Sequence, residues 1–155
     1  MATINKDIIR LSKSCIGDTE KLAVKGVLDR EFLGMGLEVK EFEKDLTNFF
    51  GRSAISVVNG TAALHLAVQS CDIGAGDEVI TASHTALASI SAVISTGATP
   101  VLVDIDPIHF TISPECIQNA ITEKTKAVNP VHLYGQPADM GEVMKIAEER
   151  DLFVV

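Results

Sequence analysis

The spacing of hydrophobic positions changes near residue 53. Before that point it is helical. Leu22, Val24, Val27 and Leu28 recur through Asp18–Arg30, with Asp18 or Thr19 as the expected cap. Val39, Phe42, Leu46, Phe49 and Phe50 form one face of a second predicted helix, Val39–Phe50; Lys40, Glu41, Glu43 and Lys44 lie elsewhere, and Gly51 ends it. Met1–Ser14 reads as an extended arm and Phe32–Gly36 as a glycine-bearing loop. From Ser53 onward, short β-branched runs alternate with helical stretches. Strands are predicted at Ile55–Val58, Glu78–Ala82, Pro100–Ile105, Ala127–Leu133 and Leu152–Val155. Helices are predicted at Thr61–Cys71, Thr85–Thr96 and Ser113–Ile121, and from an Asp139 cap to Arg150.

Strands alternating with helices imply an α/β fold: a mostly parallel sheet with helices on both faces and right-handed crossovers. Residues 1–52 read as an arm with two helices, and 53–155 as an α/β domain. Ligands of such sheets sit beyond the C-terminal ends of the strands. That edge carries Asn59-Gly60-Thr61, Ser83-His84-Thr85, Asp104–Pro107 and His132–Gln136.

Composition narrows the partners. The 155 residues are 46% hydrophobic and lack Trp, so Val, Ile, Leu and Ala must fill the core. Thirteen Lys and Arg against 21 Asp and Glu give a net charge of -8. No basic cluster offsets this, which argues against nucleic acid and anionic membranes as partners. Cys15, Cys71 and Cys116 are far apart and unpaired in pattern, as expected of free thiols in a reducing, cytoplasmic compartment. The N terminus has no apolar signal region, and Ala86–Thr96 is too short and serine-rich to span a bilayer.

Ile55–Val68 is the most informative stretch: a predicted strand, an Asn59-Gly60 turn, then a helix. A strand turning sharply into a helix presents free N–H groups and the positive end of the helix dipole, a seat for a phosphate. Gly60 allows close approach and Thr61 offers a hydroxyl. The simpler reading of the same residues is a helix capped by Asn59 with nothing bound. The motif is neither a Walker loop nor GxGxxG. His84 stands at the ligand edge, where a flat ring can stack on a cofactor or serve helix entry. His65 reads as a surface or packing histidine, His109 as a surface one and His132 as a hydrogen-bonded structural one. The four share no ligand spacing, so no metal site is expected. Asp104 and Asp106 share a strand face, but Asp106-Pro107 is more simply turn chemistry. No nucleophile signature occurs.

Taken together, the motifs resemble the PLP-dependent nucleotide-sugar aminotransferases of the DegT/StrS type, enzymes of fold type I. Arg10-Leu-Ser-Lys13 resembles the family's opening arm; Leu33-Gly-Met-Gly36 and Val39-Lys-Glu-Phe42-Glu43 resemble its first loop and helix. Asn59-Gly60-Thr61-Ala-Ala-Leu64 matches the family's Ser-Gly-Thr-Ala-Ala-Leu phosphate loop. Gly97–Pro107, Thr122–Lys126 and Pro130–Met140 are also similar. The resemblance implies that Gly60, Thr61 and Ala62 hold the phosphate of pyridoxal 5'-phosphate, and that Ser83–Ala86 lies against its ring. The family's ring-stacking aromatic aligns with Ala86, while the nearby flat side chain is His84.

The resemblance also implies what to expect of the whole. The family's strand at Leu152–Val155 leads into an acid that pairs with the pyridine nitrogen, then to the Schiff-base lysine and a small C-terminal domain. None of these matches a position in this chain, which therefore reads as the N-terminal part of such an enzyme, inactive alone. The implied activity is transfer of an amino group from an amino acid to a nucleotide-linked keto-sugar, in a homo-oligomer. A sugar dehydratase on the same scaffold, or a non-catalytic binding or assembly module, are the alternatives.

Overall fold

A computed structural model describes residues 13–155; most of the predicted N-terminal arm lies outside them. The described residues divide into two compact units, one ending at Ser56 and the other Val57–Val155.

The first unit contains α1 (Asp18–Asp29) and α2 (Leu37–Phe50). The cap of α1 is Gly17, not Asp18 or Thr19. Glu20 Oε2 accepts the Gly17 N–H at 2.6 Å, so a carboxylate three residues inside the helix closes its first turn. Helix α2 starts two residues before its predicted start, and Gly51 ends it in the left-handed conformation, φ +66°.

The predicted strand Ile55–Val58 is not a strand. Groups within and just before it are spent on α2: Ala54 N–H donates to Thr47 Oγ1 at 3.1 Å, and Ser56 donates from N–H and hydroxyl to Glu43 Oε1, both at 2.8 Å. Those bonds hold the Glu43 carboxyl below its usual range, the Ser56 N–H contributing most. Ile55 and Val58 stay exposed. A β-branched run becomes a strand only where a neighbouring strand takes its backbone groups, and among the described residues none does.

The second unit is a parallel sheet of β1 (Glu78–Ala82), β2 (Thr99–Val103), β3 (Thr125–Asn129) and β4 (Phe153–Val154), in the order β2-β1-β3-β4. Successive side chains of a strand point to opposite faces. Val79 and Ala127 pack with Val68 of α3 (Gly60–Ser70) and Val93 of α4 (Leu87–Ser95). Ile80, Ala82, Val103 and Val128 pack with Ile117 of α5 (Pro114–Ala120) and Val143 and Ile146 of α6 (Met140–Arg150). Helices therefore cover both faces, as the alternation of elements predicts.

Several elements are shorter than predicted, among them β4, which is Phe153–Val154 rather than Leu152–Val155. Strand β3 stops at Asn129 rather than Leu133, because Pro130 has no N–H to continue the ladder. A single 3-10 turn, Leu133–Gly135, follows, with Tyr134 at φ 56°. Strand β2 starts at Thr99 and ends at Val103; Ile105 instead forms an antiparallel bridge with Ile112. Helix α4 starts at Leu87, two residues after the predicted Thr85. Asp139 caps α6 as expected, accepting from Glu142 N–H, and α5 starts at Pro114, with Ser113 as its cap accepting from Cys116 N–H. Among the described residues, no helix is long and apolar enough to cross a membrane.

Candidate functional site

Connectivity decides which end of each helix faces the ligand edge. The turn through Gly74–Asp77 joins the C-terminal end of α3 to the start of β1, and the turn at Gly97, φ +86°, joins α4 to β2. Both helices therefore begin at the C-terminal edge of the sheet, where the loops after β1 and β3 also emerge.

Asn59 caps α3. Its extended backbone, φ -165° and ψ 172°, brings its side-chain oxygen to Ala62 N–H at 2.9 Å, and its carbonyl accepts from Ala63 N–H at 3.1 Å. Of the three residues the resemblance points to here, Ala62 thus has its N–H already taken. The N–H groups of Gly60 and Thr61 belong to the first helical turn, where no carbonyl four residues back is available. A Cβ placed on Gly60 would meet nothing within 4 Å, so the surface there is open. Thr61 is half-buried. Capping and anion binding, alternatives in the sequence, are thus compatible: the cap uses Ala62 and Ala63 and leaves Gly60 and Thr61.

His84 and Ala86 lie in the loop between β1 and α4, both exposed. Ala86 is the N-cap of α4 and has no side chain to close it. His84 Nε2 is 3.2 Å from the Tyr134 hydroxyl, with ring centroids 5.8 Å apart at 60°. Tyr134 is the chain's one tyrosine. In the sequence it is one residue of the edge segment His132–Gln136, and nothing local singles it out. The pair joins the loops after two adjacent strands.

Asp106 does turn chemistry, as its Asp-Pro sequence implies. Oδ1 accepts N–H groups of His109 at 2.7 Å and Ile108 at 2.9 Å, and lies 2.9 Å from His109 Nδ1. The His109 N–H contributes most to holding this carboxyl below its ordinary range, against the opposing effect of desolvation. A cavity of about 310 Å³ opens beside Asp106, His109, Ile112 and Asp139. Ile112 belongs to the α5/α6 core, so this cavity lies on the face away from α3. His132 Nδ1 accepts Ala138 N–H at 3.1 Å, which makes it a structural residue. Among the described residues, no group of three His, Cys, Asp or Glu side chains is placed to hold a metal.

A helix start left open at the ligand edge of a parallel sheet is shared by many folds, so comparison with known proteins decides the family. The model of the DegT/DnrJ/EryC1/StrS aminotransferase family matches residues 14–155. The chain belongs to that family. GDP-perosamine synthase of Caulobacter vibrioides is 46% identical over 122 residues, covering 78% of this chain and 33% of the relative. The aminotransferase from Psychrobacter cryohalolentis has a crystal structure that superposes with a TM-score of 0.84 at 41% identity, over 90% of this chain and 36% of that one. NtdA from Bacillus subtilis, solved with bound cofactor PMP, gives a TM-score of 0.81 at 35% identity, over 86% of this chain and 31% of its own. The chain thus spans about a third of the length of the family members it matches.

Proposed function

We propose that this chain forms the phosphate-binding part of a PLP-dependent aminotransferase that transfers an amino group from an amino acid to a nucleotide-linked keto-sugar. One observation carries the reading: the open first turn of α3, at the ligand edge, in a chain of this aminotransferase family. Gly60 and Thr61 donate N–H groups to the phosphate, and the Thr61 hydroxyl adds a third donor. The positive end of the α3 dipole favours the dianion. Ala62 contributes by shape, since Asn59 holds its N–H. His84 and Ala86 lie toward the ring, and the Tyr134 hydroxyl orients His84. When bound, pyridoxal phosphate supplies the electron sink that amino-group transfer needs.

The nucleotide-linked substrate is supported by likeness to GDP-perosamine synthase. We further propose a cytoplasmic homo-oligomer. No lysine of the 155 residues matches the family's Schiff-base position, so these residues alone bind the cofactor weakly and reversibly and perform no transamination. The test is equilibrium dialysis of the chain against pyridoxal phosphate, with Thr61→Val alongside. Saturable binding, weakened about tenfold in Thr61→Val and lost on dialysis, is expected, tenfold being about 1.4 kcal/mol. Equal binding by both proteins would remove the phosphate assignment, and cofactor retained through dialysis would contradict reversible binding.

A further inference from the structure

Asn59-Gly60 is the one place where an asparagine of this chain precedes a glycine; Asn5, Asn48, Asn119 and Asn129 are followed by Lys, Phe, Ala and Pro. The pairing matters chemically. The backbone nitrogen after an asparagine can attack that asparagine's side-chain carbonyl, and a side chain on the following residue obstructs the approach. Glycine has none. Asn59 and Gly60 are both exposed, and a Cβ built on Gly60 would meet nothing within 4 Å, so water and base reach the pair.

The fold adds to what the dipeptide alone provides. The Gly60 N–H lies in the first turn of α3, where no helical carbonyl takes it. The Asn59 side chain is folded forward along the chain, because its Oδ1 accepts the Ala62 N–H at 2.9 Å. That puts a donor on the oxygen where negative charge develops when Cγ is attacked. The positive end of the α3 dipole favours the same charge. The other asparagines of the described residues lack these conditions. Asn48 and Asn119 lie inside α2 and α5, where the next nitrogen is held in the helix, and Asn129 precedes Pro130, whose nitrogen has no proton to lose.

We infer that Asn59-Gly60 is a self-modification site, a deamidation that turns the neutral cap of α3 into a carboxylate. The Gly60 nitrogen gives its proton to water and attacks Asn59 Cγ. The new C–N bond closes a succinimide ring. The Cγ–Nδ2 bond breaks, and Nδ2 takes up a proton and leaves as ammonia. Water then opens the ring at either carbonyl, giving aspartate or, with the backbone routed through the side chain, isoaspartate. Nothing is oxidised or reduced. Aspartate caps a helix as well as asparagine does, so α3 survives the change. What changes is the charge beside the Gly60 and Thr61 N–H groups, which then repels an anion. The modification stands on the local geometry; its effect on cofactor binding rests on the phosphate seat proposed above.

The test follows the purified chain over days by peptide mass mapping: in buffer, in buffer with pyridoxamine phosphate, and unfolded in urea. Asn59→Ser is the control, since it keeps a cap and has no amide to lose. Pyridoxamine phosphate dissociation constants are measured in parallel for wild type, Asn59→Asp and Thr61→Val. The expected result is the mass gain of an NH2-to-OH exchange at Asn59 of the folded chain, slowed by the ligand and absent from Asn59→Ser. Asn59→Asp keeps the urea midpoint of wild type and binds the ligand about tenfold more weakly, the scale set by a unit charge a few ångström from a dianion in water. Exchange in urea but none in the folded chain would show that the cap protects the pair, and would overturn the inference. Unchanged affinity in Asn59→Asp, with Thr61→Val still weakened, would overturn the effect of the charge. An unaffected Thr61→Val would remove the phosphate seat and the effect on binding with it, while exchange at Asn59 would still establish the modification.

Discussion

Asn59 shows how one side chain can both close a helix and leave part of it open. It satisfies the Ala62 N–H, the third of the first turn, and leaves the first two facing outward. Asn59→Ala should therefore lower the unfolding free energy by about 1 kcal/mol, and Asn59→Ser should restore most of it, as measured by urea denaturation. The Asp106 carboxyl makes a second prediction. Its folded pKa lies below the unfolded value of about 3.9, so its contribution is complete above that value and is lost as pH falls through the folded one. The stability difference between wild type and Asp106→Asn should shrink over that acidic window and stay constant nearer neutrality. A difference that stays constant into acid would show that the carboxylate charge is not the source. At this scale the sequence was legible where chemistry is local: the Asn59, Ser113 and Asp139 caps and the Asp106 turn follow from neighbours within three residues. The His84–Tyr134 pair was not, because fifty residues separate its members and only the sheet brings them together.

Among the elements, the adjacent strands β1 and β3 position the site. Ile80 is fully buried against the α5/α6 layer, and Val79 against the α3/α4 layer. Ile80→Ala should cost about 2–5 kcal/mol, read as a lower denaturation midpoint, because it opens a cavity in the middle of the sheet. An effect below about 1 kcal/mol would mean that the surrounding core collapses around it. Helices and central strands were legible because their apolar positions repeat at the period of the element. The failure at Ile55–Val58 has a definite cause. Its composition suits a strand, but pairing depends on a neighbour that no local pattern reveals, and the flanking Ala54 and the run's own Ser56 bond to α2 instead. Strand β3 ended early for the opposite reason: Pro130 is a local signal, outweighed in the sequence by the apolar residues Val131 and Leu133 beyond it.

At the scale of the molecule, the sheet order and the layering of helices on both faces agree with the fold that the family match implies. The chain spans about a third of the relatives it matches, and on the function proposed above its ligand edge carries the phosphate side of the cofactor site. Reversible cofactor binding at the start of α3 follows from that proposal. The most direct test is a 15N–1H correlation spectrum of the chain, titrated with pyridoxamine phosphate. The Gly60 and Thr61 amides are expected to shift most, saturably, and the Ala62 amide, held by Asn59, to shift less. Saturable shifts centred elsewhere, or no shift at Gly60 and Thr61, would contradict it.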